Sequence, residues 1–103
     1  MDQSRFVHPI SSSDYVQFLD KGLAVIKAFN SDRRTMTLTE MATATGLSKP
    51  SARRCLLTLQ TRGYVSQTDG RFRLSPRVLH LGGSYLTSGE LMLTVALFDD
   101  LRV

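Results

Sequence analysis

A mainly α-helical domain carrying one small β-hairpin is the architecture this chain encodes, and three features of the sequence predict it. Apolar residues recur at helical spacing in several separate stretches. Serine or threonine precedes most of those stretches at a position suited to capping a helix. One Asp-Gly dipeptide sits between two short alternating segments, the strongest local signal for a hairpin. The 103 residues suffice for one small domain and not for two independent cores.

Residues 1–14 hold one proline, four serines and no apolar periodicity, and read as a flexible arm. Its last residue, Asp14, is the expected N-cap of a first helix running to about Phe29. Two apolar stripes follow that helix. Leu19, Leu23 and Ile26 form one; Phe18, Gly22, Val25 and Phe29 form the other, roughly 80–100° away at about 100° per residue. Together they are wide for one helix on a small domain, so one stripe is expected to face the core and the other a partner. Phe18, Gly22, Val25 and Phe29, with Tyr85 further on, are the dimerisation candidates.

NSDRRTM reads as a polar loop. Thr37 then opens TLTE, a capping box in which the threonine hydroxyl and the Glu40 carboxylate satisfy each other's backbone amides. Leu38, Met41, Ala42 and Leu47 are its apolar positions, and Gly46 is the expected left-handed stop. In GLSKPSARRC, Ser48 caps a further helix and Pro50 falls in the first turn, where its missing amide hydrogen costs least. That helix, about 48–61, turns Ala52, Cys55, Leu56 and Leu59 inward and closes at Gly63. Lys49, Pro50, Ser51, Arg53, Arg54, Leu57 and Thr58 remain largely outward.

YVSQTDGRFRLS predicts the hairpin, with Val65 opposite Leu74 and Gln67 opposite Phe72. Arg71 and Arg73 then share the other face with Thr68 and Ser66. Ser75-Pro76 repeats the logic of cap and proline and begins a last helix through Val78, Leu79, Tyr85 and Leu86, weakened at Gly82-Gly83. ELMLTVALFDDLRV is again helical in pattern, too short to span a bilayer, and too apolar to stand alone.

Charge is segregated along this frame. Residues 49–77 hold seven basic residues against the single acid Asp69, while the rest of the chain holds six basic and eight acidic residues. A surface so arranged is aimed at a polyanion. A short capped helix, a tight glycine turn, a basic helix and a basic hairpin make a winged helix-turn-helix, with the helix pair at about 38–58 and the wing at about 64–74. In that geometry Lys49, Ser51 and Arg53 reach base edges from the first turns of the capped helix, beside Ser48, and Pro50 can meet a thymine methyl. Arg54 and Thr58 suit phosphates, as do the amides and hydroxyls around Thr37 and Thr39. Arg71 and Arg73 suit the DNA backbone or an adjacent minor groove. A second reading of Arg54 pairs it with Glu40 or with acids of the first helix.

Other chemistry is not encoded. Cys55, the sole cysteine, excludes an internal disulfide and reads as a small core residue. With only His8 and His80 besides it, no zinc ligand set exists. His80 reads as an ordinary helix residue; Tyr64 and Phe72 read as core. No nucleophile–base pair, phosphate-binding glycine loop or carboxylate dyad is present, so neither catalysis nor a cofactor is expected. The stretch MDQSRFVHPISSS lacks the apolar core of a signal peptide, and a cytoplasmic location with no membrane contact is expected.

FLDKGLAVIKAF, LTEMATATGLSKPSARRCLLTL, LTLQTRGYV and GRFRLSPRVLHLG resemble the N-terminal DNA-binding domain of IclR-type bacterial transcription regulators. The likeness covers about 15–88, and the SARRCLLTLQTRGYV run looks most like the branch controlling aromatic-acid catabolism through the β-ketoadipate route. The resemblance implies a dimer on a palindromic operator of double-stranded DNA, with 48–58 as recognition helix and 70–73 as wing. It implies a role for the first helix and for the region 76–103 in dimerisation and in linking to a C-terminal effector domain, absent from this chain, that binds a small carboxylic metabolite. Pro50 departs from the threonine, alanine or serine common there. Two alternatives stand beside this expectation: a winged-helix module that docks proteins, and a fragment that binds DNA without sequence preference.

Overall fold

The computed structural model describes residues 13–87. The elements run α1 (Gln17–Ala28), β1 (Met36–Thr37), α2 (Leu38–Thr45), α3 (Lys49–Thr61), β2 (Val65–Thr68), β3 (Arg71–Leu74), a 3₁₀ helix (Pro76–Gly82) and α4 (Gly83–Thr87). The expected N-terminal arm falls almost wholly outside the described residues, and the apolar tail ELMLTVALFDDLRV lies outside them entirely.

Helix α1 starts later than its expected cap. Val16, in extended conformation and without a capping side chain, holds the N-cap position, and Asp14 sits in a preceding turn. Its stripes are also assigned by the fold. Val25 is completely buried and Phe29 nearly so, whereas Leu19 and Leu23 are 63% and 52% exposed. The stripe expected to meet a partner is therefore the one that enters the core. Val25 and Phe29 keep no surface for dimerisation, because α2 and α3 cover that face.

The loop after α1 is folded on itself. Asn30 Oδ1 accepts from the amides of Asp32 and Arg33, both at 2.9 Å, and Arg33 Nε donates to the carbonyl of Ala28 at 2.8 Å. Its end is not loop at all. Met36 is buried and pairs with Phe72, and Thr37 pairs with Arg71, so β1 joins the hairpin in an antiparallel sheet of order β1-β3-β2. The expected two-stranded hairpin is a three-stranded sheet.

The hairpin itself has the expected register, Val65 with Leu74 and Gln67 with Phe72. Asp69 and Gly70 both take positive φ, 53° and 75°, the pattern of a two-residue turn whose twist matches its strands. Beyond it Ser75 Oγ accepts from the Arg77 amide at 3.1 Å, and Pro76 follows at the first helical position. What that cap opens is a 3₁₀ helix, which passes into α-helix only at Gly83.

One core unites these pieces. Val25, Met36, Met41 and Leu56 are its largest fully buried side chains, packed with Ala52, Cys55, Val65 and Phe72. The three longer helices and the three strands each contribute at least one of them, and α3 packs against α1, α2 and β2.

Candidate nucleic-acid interface

Positioning begins at the two caps. Thr37 Oγ1 accepts from the Glu40 amide at 3.1 Å while Glu40 Oε1 accepts from the Thr37 amide at 2.8 Å, completing the capping box. Gly46, at φ 75°, then reverses the chain in the left-handed conformation, and its amide closes α2 on the Ala42 carbonyl. Ser48 Oγ accepts from the Ser51 amide at 3.2 Å, and Pro50 occupies the second helical position of α3. The turn therefore sets the angle at which α3 leaves α2, and the serine sets where α3 begins. Ser48→Ala is expected to cost about 1 kcal/mol in urea unfolding, the usual worth of such a cap.

Once Ala52, Cys55 and Leu56 turn inward, α3 presents Lys49, Pro50, Arg53, Arg54 and Thr58 to solvent. Among the described residues, Lys49 and Arg53 make no side-chain hydrogen bond or ion pair, so the first turns of α3 offer two unpaired cations on one face. Ser51 is half-buried and its hydroxyl accepts from Lys21 Nζ at 3.4 Å. Arg54 takes neither of the acid partners weighed for it. Its guanidinium carbon lies 4.5 Å from the centroid of the Phe18 ring. Thr58 bonds back to the Arg54 carbonyl at 2.7 Å. Thr37, expected to offer amide and hydroxyl to a phosphate, uses both in its capping box, while Thr39, two residues on, is exposed.

The two wing arginines differ. Arg71 donates from Nε to Thr35 Oγ1 at 2.9 Å and from Nη2 to the Thr35 carbonyl and Glu40 Oε1, at 3.2 and 3.0 Å. It thus ties the wing to the start of α2. Arg73 makes no such bond among the described residues and, with Arg34, Asn30, Ser31 and Thr35, lines a cleft of about 540 Å³ beside Phe29 and Leu74. Sequence reading did not single out Arg34 or Lys21. The signal available for Arg34 was the adjacent arginines of the DRRT stretch; Lys21 had none, since only folding brings it to α3.

Glu40 is held below the usual carboxylate range, first by the Thr37 amide and then by Arg71. A depressed folded-state pKa adds stability above the unfolded value that disappears as pH falls through the folded one. Acidification through the carboxylate range is therefore expected to lower the urea midpoint of wild type more than that of Glu40→Gln, which keeps the box without the charge. Burial pushes the Cys55 thiol up, opposed by Lys21 and Arg54, in keeping with a core residue.

Among the described residues no cluster of three or more potential metal ligands occurs, and no helix is long and apolar enough to cross a membrane. A capped cationic helix held by a glycine turn against a second helix, with a basic wing alongside, defines a winged helix-turn-helix DNA-binding domain. The sequence model of the IclR helix-turn-helix domain matches residues 18–69, and the chain belongs to that family of transcriptional regulators. It is 43% identical over 89 residues to the p-hydroxybenzoate hydroxylase transcriptional activator of Acinetobacter baylyi, covering 82% of this chain and 33% of that one. It is 36% identical over 87 residues to the Pca regulon regulatory protein of Pseudomonas putida, covering 84% and 30%. The crystal structure of an IclR family transcriptional regulator from Brucella abortus superposes with a TM-score of 0.70 at 34% identity, covering 82% and 33%. The chain spans about a third of the length of these relatives.

Proposed function

We propose that this domain binds a palindromic operator as a homodimer and so controls a catabolic operon for aromatic acids in the bacterial cytoplasm. The observation that carries the reading is the outer face of α3, where Lys49, Pro50 and Arg53 stand exposed at a capped helix start and neither cation has a partner among the described residues. A helix end of that kind fits the major groove with its first turns against base edges. Arg73 then meets the backbone or the neighbouring minor groove, and Arg71 holds the wing at the correct angle through Thr35 and Glu40. The names of the similar regulators, of p-hydroxybenzoate hydroxylase and of the Pca regulon, support aromatic catabolism as the pathway class. A small carboxylic effector would act through a separate effector domain of the kind the resemblance implies.

For the dimer, the exposed stripe of Val16, Leu19 and Leu23 replaces Val25 and Phe29 as the surface to be covered, with Tyr85 on α4 also exposed. Two α3 helices would then enter half-sites about one helical turn (~34 Å) or a multiple apart. Competition binding to a pool of genomic fragments across a salt series tests this. Enrichment of one palindrome with steep loss of affinity in salt is expected. Binding that enriches nothing and ignores salt would reject it.

A further inference from the structure

Two cations meet on one aromatic ring at the seam of α1 and α3. Lys21 Nζ lies 4.6 Å and Arg54 Cζ 4.5 Å from the centroid of Phe18. The bond from Lys21 Nζ to Ser51 Oγ brings this α1 ammonium to the first turn of α3, the turn that also carries Lys49 and Pro50. Among the described residues no carboxylate pairs with either cation. The acid of α1, Asp20, acts instead on Tyr15, whose hydroxyl it holds above the usual pKa. Arg71 and Glu40 show that the chain does neutralise an arginine where only scaffolding is at stake.

Two cations beside one ring and no acid paired with either leave an excess of positive charge at this seam, which the ring quadrupole offsets only in part. An anion at the seam would offset the rest. The Arg54 side is open to one: Phe18 is 42% exposed, Arg54 is exposed, and a groove of about 240 Å³ lined by Phe18, Gly22, Arg54, Cys55, Thr58 and Leu59 lies alongside. Phe18 holds both side chains in place beforehand, so less rotamer freedom is lost when a ligand arrives. An ammonium and a guanidinium together match the oxygens of a phosphodiester.

We propose that Lys21, Phe18 and Arg54 form a clamp for a DNA backbone phosphate, seating α1 on the strand that borders the groove entered by α3. This rests on the nucleic-acid reading above. It gives Lys21 a role in DNA binding and makes Phe18 a positioning residue, where the sequence suggested a dimer contact.

The test is fluorescence anisotropy of the full chain on a mixed-sequence duplex about three helical turns long, titrated across a potassium chloride series. Lys21→Gln is expected to reduce affinity about fivefold and to lower the slope of log affinity against log salt by about 1, the signature of one lost phosphate contact. Phe18→Leu should weaken binding while both charges remain. Lys27→Gln removes the same charge from the last turn of α1 and should leave the slope unchanged. Equal slopes for Lys21→Gln and Lys27→Gln would overturn the clamp while leaving DNA binding intact. A lowered thermal midpoint in Lys21→Gln with a wild-type slope would assign the trio to packing and overturn it as well. Wild type binding without salt dependence would instead overturn the nucleic-acid reading, and the clamp with it.

Discussion

Leu56→Ala is expected to destabilise the domain by about 2–5 kcal/mol, measured as a shift in urea unfolding at constant slope. Leu56 is completely buried on the inner face of α3, among the side chains through which that helix supports the rest of the fold. Truncation removes the transfer free energy of the lost methyls and leaves a space between α1, α2 and the sheet that rigid neighbours fill only in part. A domain of this size is stable by roughly 5–10 kcal/mol, so the loss consumes a large share and lowers the thermal midpoint by ~10 °C or more. The adjacent Leu57 is only partly covered, and Leu57→Ala should cost far less. Leu19→Ala, at a position 63% exposed, should leave monomer unfolding nearly unchanged and register only where two copies associate. An equal loss at Leu56 and Leu57 would mean that α3 is turned differently about its axis.

That contrast also marks what the sequence could convey. The features legible in advance are those whose chemistry closes within three or four residues. Thr37 with Glu40, Ser48 with Ser51, the left-handed Gly46 and the Asp69-Gly70 turn each satisfy local backbone groups, and each stands where the residue types require. The hairpin register followed from that turn, because a two-residue connection leaves only one alignment that buries Val65 and Phe72 together.

Features settled by distant partners were not legible. Strand β1 is two residues long, too short for any period, and exists because Met36 pairs with Phe72 across half the domain. The two stripes of α1 are equivalent by helical spacing. The choice between them is made by α2 and α3, which close over Val25 and Phe29 and leave Leu19 and Leu23 outside. Asp14 failed as a cap for a related reason: α1 starts at Gln17, and Val16 takes the capping position without a side-chain bond. The local charge balance correctly marked 49–77 as the cationic half, yet it could not sort the arginines. Arg71 finds Glu40 and Thr35, Arg54 finds a ring, and Arg53 and Arg73 find no partner among the described residues, a sorting that only the folded chain makes.

From that sorting comes the second large effect. Arg53→Ala is expected to reduce operator affinity by about 1–3 kcal/mol while mixed-sequence binding falls much less, so that the specificity ratio collapses. An arginine unpaired among the described residues, on the exposed side of α3, is free to make a bidentate contact with a base edge. If α3 reads base edges as proposed, removing it deletes a contact made only on the correct sequence. Arg73→Ala should behave oppositely, weakening all sequences alike and lowering the salt slope by about 1, as for a lost phosphate contact. Arg71→Ala should differ from both. Its charge is already opposed by Glu40, so the salt slope should change little, and affinity should fall because the wing is no longer tied to α2. Lysine at position 71 cannot reproduce the two-nitrogen reach onto Thr35 and Glu40, and Arg71→Lys should therefore rescue poorly. Parallel losses of affinity, specificity and slope in Arg53→Ala, Arg71→Ala and Arg73→Ala would refute this division. The three arginines would then act as one undifferentiated cationic surface.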